Sequence, residues 1–569
     1  MTVTHWATPA SKKYVWDRRA IRDKFTGPHR EWYAEQLKKY LPDGSWHTPV
    51  DQQEHLLTNG MLRFLRRHCG TANRLPIKEH LTPETWTLIC AKKEARKRAQ
   101  DAHQRAGHAI MAKYWAAWLH RPPLQRDRQA ERECAIAWRE HSQKAKDVHR
   151  AVRQDDKAFY AKLAAEAGDL DRAGKTEELW QQIRPLLPKQ KTKRKQTPLR
   201  REDLATQWTP HFAELEMGEV CTEAQLRDRD KNYDKDRQAP IPVTTGDLPT
   251  RTDIERAARR LRTGKAAGPD QIPPELLRYA ADIIAPTLHH LYIKILVCQK
   301  EPLAWKGGTL YPIYKKGPTT DVKNHRGILV QNVPAKPLQA WLRQRTMEWA
   351  EQHRHPMQLG GFSKQQVQYG SQATRLHLRI CEARGLPGAV LFLDISSAFH
   401  HLLRHLLMGD MREEWKDIKH LLHPRSQAGV DEWQQLPCLL QRMRAPPAIL
   451  HALRELHRDT WVRVANDPEI IRTRRGSRPG SPLADIVFNL LMIDVHHGLA
   501  EFIQKEMPDA PDELRYTPAP TTWVDDVAIP IVATTNADLY PEDPSYTPSA
   551  PLRTEAYSPT WHLARRKRW

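Results

Sequence analysis

The sequence predicts an α/β domain, of the α+β kind with an antiparallel sheet, preceded by a basic helical region. Three observations carry that reading. Residues 1–183 are polar and repeat their apolar positions every three or four residues; from about residue 251 helix signals alternate with short β-prone runs; and the segment between them, 184–250, is rich in proline and charge. Within 1–183, "KKEARKRAQ" (92–100) is a basic cluster and "KAFYAKLAAEAGDL" (157–170) has helical spacing. The stretch "RPLLPKQKTKRKQTPLRRE" (184–202) breaks the pattern and reads as a linker, serving as a nuclear localisation signal or as a solvated arm that touches phosphate. A further helix is expected over "DLATQWTPHFAELEMG" (203–218), and the next starts at Thr252 and Asp253. Strands are expected at "GTLYPIY" (308–314) and "GAVLFLDI" (388–395), and a hairpin over 460–476 that turns at Asn466, Asp467 and Pro468. Residues 536–569, rich in Pro, Ser and Thr and closing on "ARRKRW", read as a disordered basic tail.

Charge narrows the class of partner. Among 569 residues, 90 Lys and Arg face 68 Asp and Glu, a net +22 that favours a polyanion. Nucleic acid and an anionic membrane both qualify. No apolar run approaches the ~18 residues of a membrane span, and the N-terminus lacks the apolar core of a signal peptide, so nucleic acid is the expected partner and no membrane is expected. Seven cysteines without a C-x-x-C pair suit a reducing, intracellular setting, nuclear if the basic stretch is a signal.

The run "TTWVDDVAIPI" (521–531) sets Asp525 and Asp526 side by side in an apolar, β-prone context. Its simplest structure is a hairpin with the acidic pair at the tip, where ligands reach. Asp394 ends a second β-prone run, "AVLFLD". Were the two strands neighbours, these carboxylates could hold two divalent cations about 3.5–4 Å apart, the arrangement that serves in-line phosphoryl transfer. Magnesium suits such a site, because it needs few carboxylates and completes its shell with water and phosphate.

Order along the chain adds a resemblance. "GKAAGPDQIPPELL" (264–277), "EPLAWKGGTLYPIYKKGPTTDVKNHRGILV" (301–330), "GGFSKQQVQYGSQATRLHL" (360–378), "FLDISSAFHHLL" (392–403), "GSRPGSPLADIVFNLLMIDV" (476–495) and "WVDDVA" (523–528) follow one another as in the reverse transcriptases of non-LTR (LINE-like) retrotransposons. The resemblance covers 250–535 and reaches loosely upstream to "WTPHFAELEMG". It implies right-hand polymerase fingers and palm over 251–535, with RNA template, DNA primer and dNTPs as partners. It implies two Mg²⁺ ions, or Mn²⁺ in their place, held by the catalytic carboxylates Asp394, Asp525 and Asp526. Lys315, Lys316 and Arg326 fall where the family binds the triphosphate, and Phe399 where it excludes a ribose 2′-OH. Gly476, Arg478 and Gly480 keep the pattern of the turn beneath the nucleotide, whereas Pro479 stands where the family has Gln and Val524 where it has Ala. The family continues past the acidic pair into the rest of the palm and a helical thumb, so the expectation is a truncated polymerase.

Overall fold

The computed structural model describes residues 16–71, 80–120, 127–174, 179–180, 203–235, 243–409, 420, 427, 435–506 and 519–532. The basic stretch 184–202 and the tail from 536 lie outside them. The chain forms two compact units, 73–193 and the remainder. Residues 1–183, expected as one basic helical region, are therefore divided, and the reason is apolar patterning near the N-terminus. Helices α1 (Arg18–Thr26), α2 (Arg30–Lys38) and α3 (Val50–His68) place Ile21, Phe25, Leu37, Leu57, Met61 and Phe64 in the main core. Asp17 caps α1, its carboxylate accepting from the amides of Arg19 and Ala20.

The smaller unit is a helical hairpin of α4 (Pro83–Trp118) and α5 (Asp127–Arg172). Thr82 caps α4, and Pro83 takes the first helical position, where a missing N–H costs nothing. Ala95, Ala99, Ala102 and Ala106 are the buried face of α4, a spacing that lets α5 approach closely.

In the larger unit, α6 (Thr209–Leu215) follows directly on Trp208, and α7 (Arg251–Arg259) opens with a reciprocal cap between Thr250 and Asp253. The next long helix, α8 (Ala281–Cys298), is long and apolar enough to cross a membrane by length and composition. Leu288, Leu291, Tyr292 and Ile295, all buried, make it instead the central helix of the main core.

Helices α9 (Lys336–Ala350), α10 (Val367–Ala383), α11 (Ala398–His401), α12 (Pro447–His457) and α13 (Ala484–Glu506) alternate with the strands that form two sheets. The first sheet has the order β1-β6-β5-β2-β3, from β1 (Glu219–Cys221), β2 (Gly307–Tyr314), β3 (His325–Gln331), β5 (Trp461–Val464) and β6 (Ile470–Arg472). Only β2 and β5 run parallel. The expected 460–476 hairpin is β5–β6, turning at Asn466, whose φ is +72°, with the Asp467 amide donating to Val464 O at 3.0 Å.

The second sheet, β4-β8-β7, joins β4 (Gly388–Asp394), β7 (Thr521–Trp523) and β8 (Asp526–Val532), all antiparallel. Leu391 lies opposite Ile529 and Leu393 opposite Val527, and this face joins the main core. Pro530 fits β8 because β7 ends its pairing at Ala528, so no ladder donor is lost at 530.

A buried ionic layer ties the first sheet to the helices. Lys306 Nζ lies 2.8 Å from Glu455, which also pairs with Arg458 at 2.6 Å; Lys300 pairs with Asp230. Charges so deep persist only when paired, since each alone would cost several kcal/mol of desolvation.

Candidate active site

The three carboxylates come together at one end of the second sheet. Asp394, the last residue of β4, is in register with Asp526, the first of β8. Trp523 and Asp526 close a two-residue turn of Val524 and Asp525, and the Ile395 amide donates to Asp525 O at 3.3 Å, extending the ladder beyond Asp394. Asp394 and Asp526 are exposed, Asp525 half-buried. Phe392, on the same face as Asp394, is 56% exposed. That face is open beside the acids while the opposite face is core.

Val524 turns with φ +60°, a conformation that a β-branched residue rarely adopts. Such strain, of order 1–3 kcal/mol, persists only under external bracing. The brace is the segment 357–360. Thr522 donates its amide to Met357 O at 3.1 Å and accepts from the Leu359 amide at 2.9 Å. Gln358 donates to Asn489 O, and Asn489 donates back to Gly360 O, both at 3.0 Å, which ties the brace to α13. Gly360 has no room for a side chain: a Cβ there would lie 2.3 Å from the Val524 amide nitrogen. In the sequence Gly360 falls inside the "GGFSKQQ" motif with no task of its own; the doubled Gly360, Gly361 is the signal that points to it.

Electrostatics mark the turn as a centre of negative charge. Burial first, then Asp394, raises the Asp525 pKa, while its own backbone amide, Arg326 and Lys315 pull it down. The Asp526 pKa is raised by burial and then by Asp525 and Asp394. Among the described residues, none of the three is in an ion pair. They do not close into a cage, since no group of three or more His, Cys, Asp or Glu among the described residues is gathered for a cation. The donor set nonetheless fits magnesium: one or two carboxylates suffice where substrate phosphate and water supply the rest, and a cation would relieve the mutual repulsion.

The cations come from the first sheet. Arg326, exposed on β3, and Lys315, just beyond β2, both act on Asp525. Their loop is folded, with the Lys315 amide donating to Asn324 O at 2.8 Å and Tyr314 Oη donating to Gly317 O at 2.5 Å. Lys316 is exposed in the same loop. Phe399, in α11, is half-buried with its ring 5.3 Å from that of Phe488 on α13, and its carbonyl accepts from the Ser477 amide at 2.7 Å.

No family model matches the chain, and no curated protein matches it. The remaining site residues therefore rest on their own geometry. Gly480, at φ +109°, lets the 476–481 turn press on β3, where a Cβ would lie 2.4 Å from Leu329 O. Gly476, at φ +92°, donates its amide to Leu402 O at 2.8 Å. Arg478 differs from the expected nucleotide contact. Its buried guanidinium donates to Trp305 O at 2.6 Å and to Leu456 O, and pairs with Glu301 at 3.6 Å. With its donors turned inward on carbonyls, Arg478 holds the turn and does not face a ligand.

Two further side chains escape a reading of the sequence. Arg404, buried, donates to Gly476 O at 2.6 Å, Arg475 O at 2.8 Å and Thr460 Oγ1 at 2.6 Å, tying the segment after Asp394 to the turn. His400 pairs with buried Glu216, which links the upstream segment to the residue next to Phe399. Nothing in "FHHLLRHLL" separates such a buried arginine from a surface one.

Proposed function

We propose that the chain is an RNA-directed DNA polymerase, a reverse transcriptase of the non-LTR retrotransposon kind. In this reading β4-β8-β7 and its helices serve as palm, and the β2–β3 hairpin as part of the fingers. The observation that carries it is the pairing of Asp394 with Asp526 beside the Asp525 turn, with Arg326 and Lys315 near enough to pull the Asp525 pKa down. Motifs far apart in sequence thereby meet in the order of roles that phosphoryl transfer needs.

Asp394 and Asp525, with Asp526 beside them, would hold the metal. Two bound Mg²⁺ ions, or Mn²⁺, supply acidification of the primer 3′-hydroxyl and neutralisation of the departing pyrophosphate. Lys315, Lys316 and Arg326 steady the triphosphate through charge-assisted hydrogen bonds. The primer oxygen forms the new P–O bond at the α-phosphorus as the bond to pyrophosphate breaks. By the family resemblance, Phe399 is the residue that would clash with a ribose 2′-OH and select dNTPs. The exposed face with Phe392 is where an RNA template and DNA primer would lie in this reading.

The test is primer extension on an RNA template with dNTPs and Mg²⁺, beside the double variant Asp525→Asn, Asp526→Asn. Extension abolished in the variant supports the reading. Absence of extension by the unaltered chain, with RNA binding retained, refutes it and leaves a retroelement remnant that only binds nucleic acid.

A further inference from the structure

The α4–α5 hairpin carries a surface that its own packing does not explain. Met111, Tyr114, Trp115 and Trp118 are 63–72% exposed at the C-terminal end of α4, and the two tryptophan rings touch with centroids 5.1 Å apart. At 100° per residue Met111, Trp115 and Trp118 lie on the side of α4 away from Ala95, Ala99, Ala102 and Ala106, the face that meets α5, with Tyr114 on the flank. They are not the hairpin's core.

The same outer stripe continues toward the N-terminus of α4 as Lys93, Arg96 and Lys97, all exposed and in no ion pair among the described residues. From Lys93 to Trp118 it runs about 38 Å at ~1.5 Å per residue. No acidic residue occurs between Asp101 and Asp127. Basic and aromatic side chains thus share one face in succession. A helix that lies in a membrane interface has them on opposite faces, apolar down and basic up. An extended polyanion with flat apolar groups fits the observed order: phosphates at the basic half, bases on the aromatic half.

We propose that this stripe of α4 docks single-stranded nucleic acid, with bases stacking on Trp115 and Trp118 and the backbone running along Lys93, Arg96 and Lys97. The site is independent of the acidic turn and does not rest on the polymerase reading.

The full chain is tested with fluorescein-labelled single-stranded RNA, and with the same RNA carrying 4-thiouridine for photo-crosslinking and peptide mapping. The residues are exposed, so the variants Trp115→Ala, Trp118→Ala and Lys93→Gln, Lys97→Gln should keep the helical circular dichroism. Crosslinks are expected in α4. The tryptophan variant should lose them and bind about tenfold or more weakly, with duplex binding little changed. The lysine variant should flatten the slope of log K against log[salt] by about 1.4. Crosslinks confined to other peptides, or tryptophan variants that bind unchanged, overturn the proposal. So does a tryptophan variant whose only loss is sedimentation with anionic vesicles or self-association in ultracentrifugation, since the stripe would then dock lipid or a second copy.

Discussion

Replacing Gly360 by alanine tests whether the acidic turn is held by its brace. The added Cβ would lie 2.3 Å from the Val524 nitrogen, 2.7 Å from the Trp523 carbonyl carbon and 2.8 Å from the Trp523 Cα. All three are backbone atoms, so no rotamer change relieves the contact. Reaching even 3.0 Å moves one segment against the other by about 0.7 Å, and Asp525 follows Val524 directly. Overpacking of this kind costs ~1–3 kcal/mol. A displacement near 1 Å at a reacting centre costs about 10²-fold in rate. Denaturant unfolding reads the first quantity and primer extension the second. Gly498→Ala is the paired control, because nothing lies within 4 Å of its Cβ position on α13. It should be neutral or stabilising by ~0.5–1 kcal/mol, as a helix-interior glycine replacement is. A Gly360→Ala chain as stable and as active as the unaltered one would refute the brace. Unfolding needs no catalytic activity, so the stability arm tests the brace even if the polymerase reading fails.

Asp525→Asn should raise the melting temperature near neutral pH. Its folded pKa is raised, so the charged carboxylate disfavours the folded state, and the gain should vanish as pH falls through the carboxylate range, where the aspartate is protonated in both states. Mg²⁺ should stabilise the unaltered chain and leave the triple variant Asp394→Asn, Asp525→Asn, Asp526→Asn unmoved in the same thermal scan. Above pH 7, where Glu301 is ionised, Arg478→Ala should cost ~3–5 kcal/mol in urea unfolding by stranding that buried charge, whereas a nucleotide contact would have altered substrate affinity alone. Burial pushes the Glu301 carboxyl up to about 7, beating the pull of Arg478, and Glu54 likewise to about 7. Each carboxyl keeps its proton in the folded chain after the unfolded chain has lost it, so the stability these two groups contribute should fall from about pH 5 to pH 7, and Glu301→Gln should remove its share of that fall in a pH series of melts. Phe399→Val should let rNTPs extend a primer that the unaltered chain extends only with dNTPs; unchanged sugar selection would remove Phe399 from that role.

What is legible in the sequence is what local chemistry writes there. The β4 and β2 runs, the Asn466 turn and the Asp525 hairpin all follow from β-prone residues bounded by turn formers, and the structure has each within a residue or two. Non-local pairing is harder. The strand sequences do not specify that β4 lies beside β8; only the chemistry of paired carboxylates raises it. The N-terminal boundary is misplaced in the sequence because "AIRDKF" and "LLTNGMLRFL" are amphipathic in either setting, and only packing against α8 decides where they belong. Arg478 reads wrongly because a guanidinium aimed at a phosphate and one aimed at backbone carbonyls have the same letter in a Gly- and Pro-rich turn.

The residues hidden from sequence share a physical character. Gly360, Asn489, Arg404 and Glu216 fix in place the segments that carry or adjoin the acidic residues. The carboxylate turn needs this more than most sites, since it combines a left-handed valine with mutually repelling acids, two destabilising features on adjacent residues. Left to local preferences, Val524 would relax to negative φ and Asp525 would swing toward solvent. A glycine with no room for a methyl group, an asparagine bonded across to it and a ladder closed by Asp394 leave that motion nowhere to go. Strain stored at the tip and bracing beneath it are therefore one device, and substitutions at either end should fail in the same way.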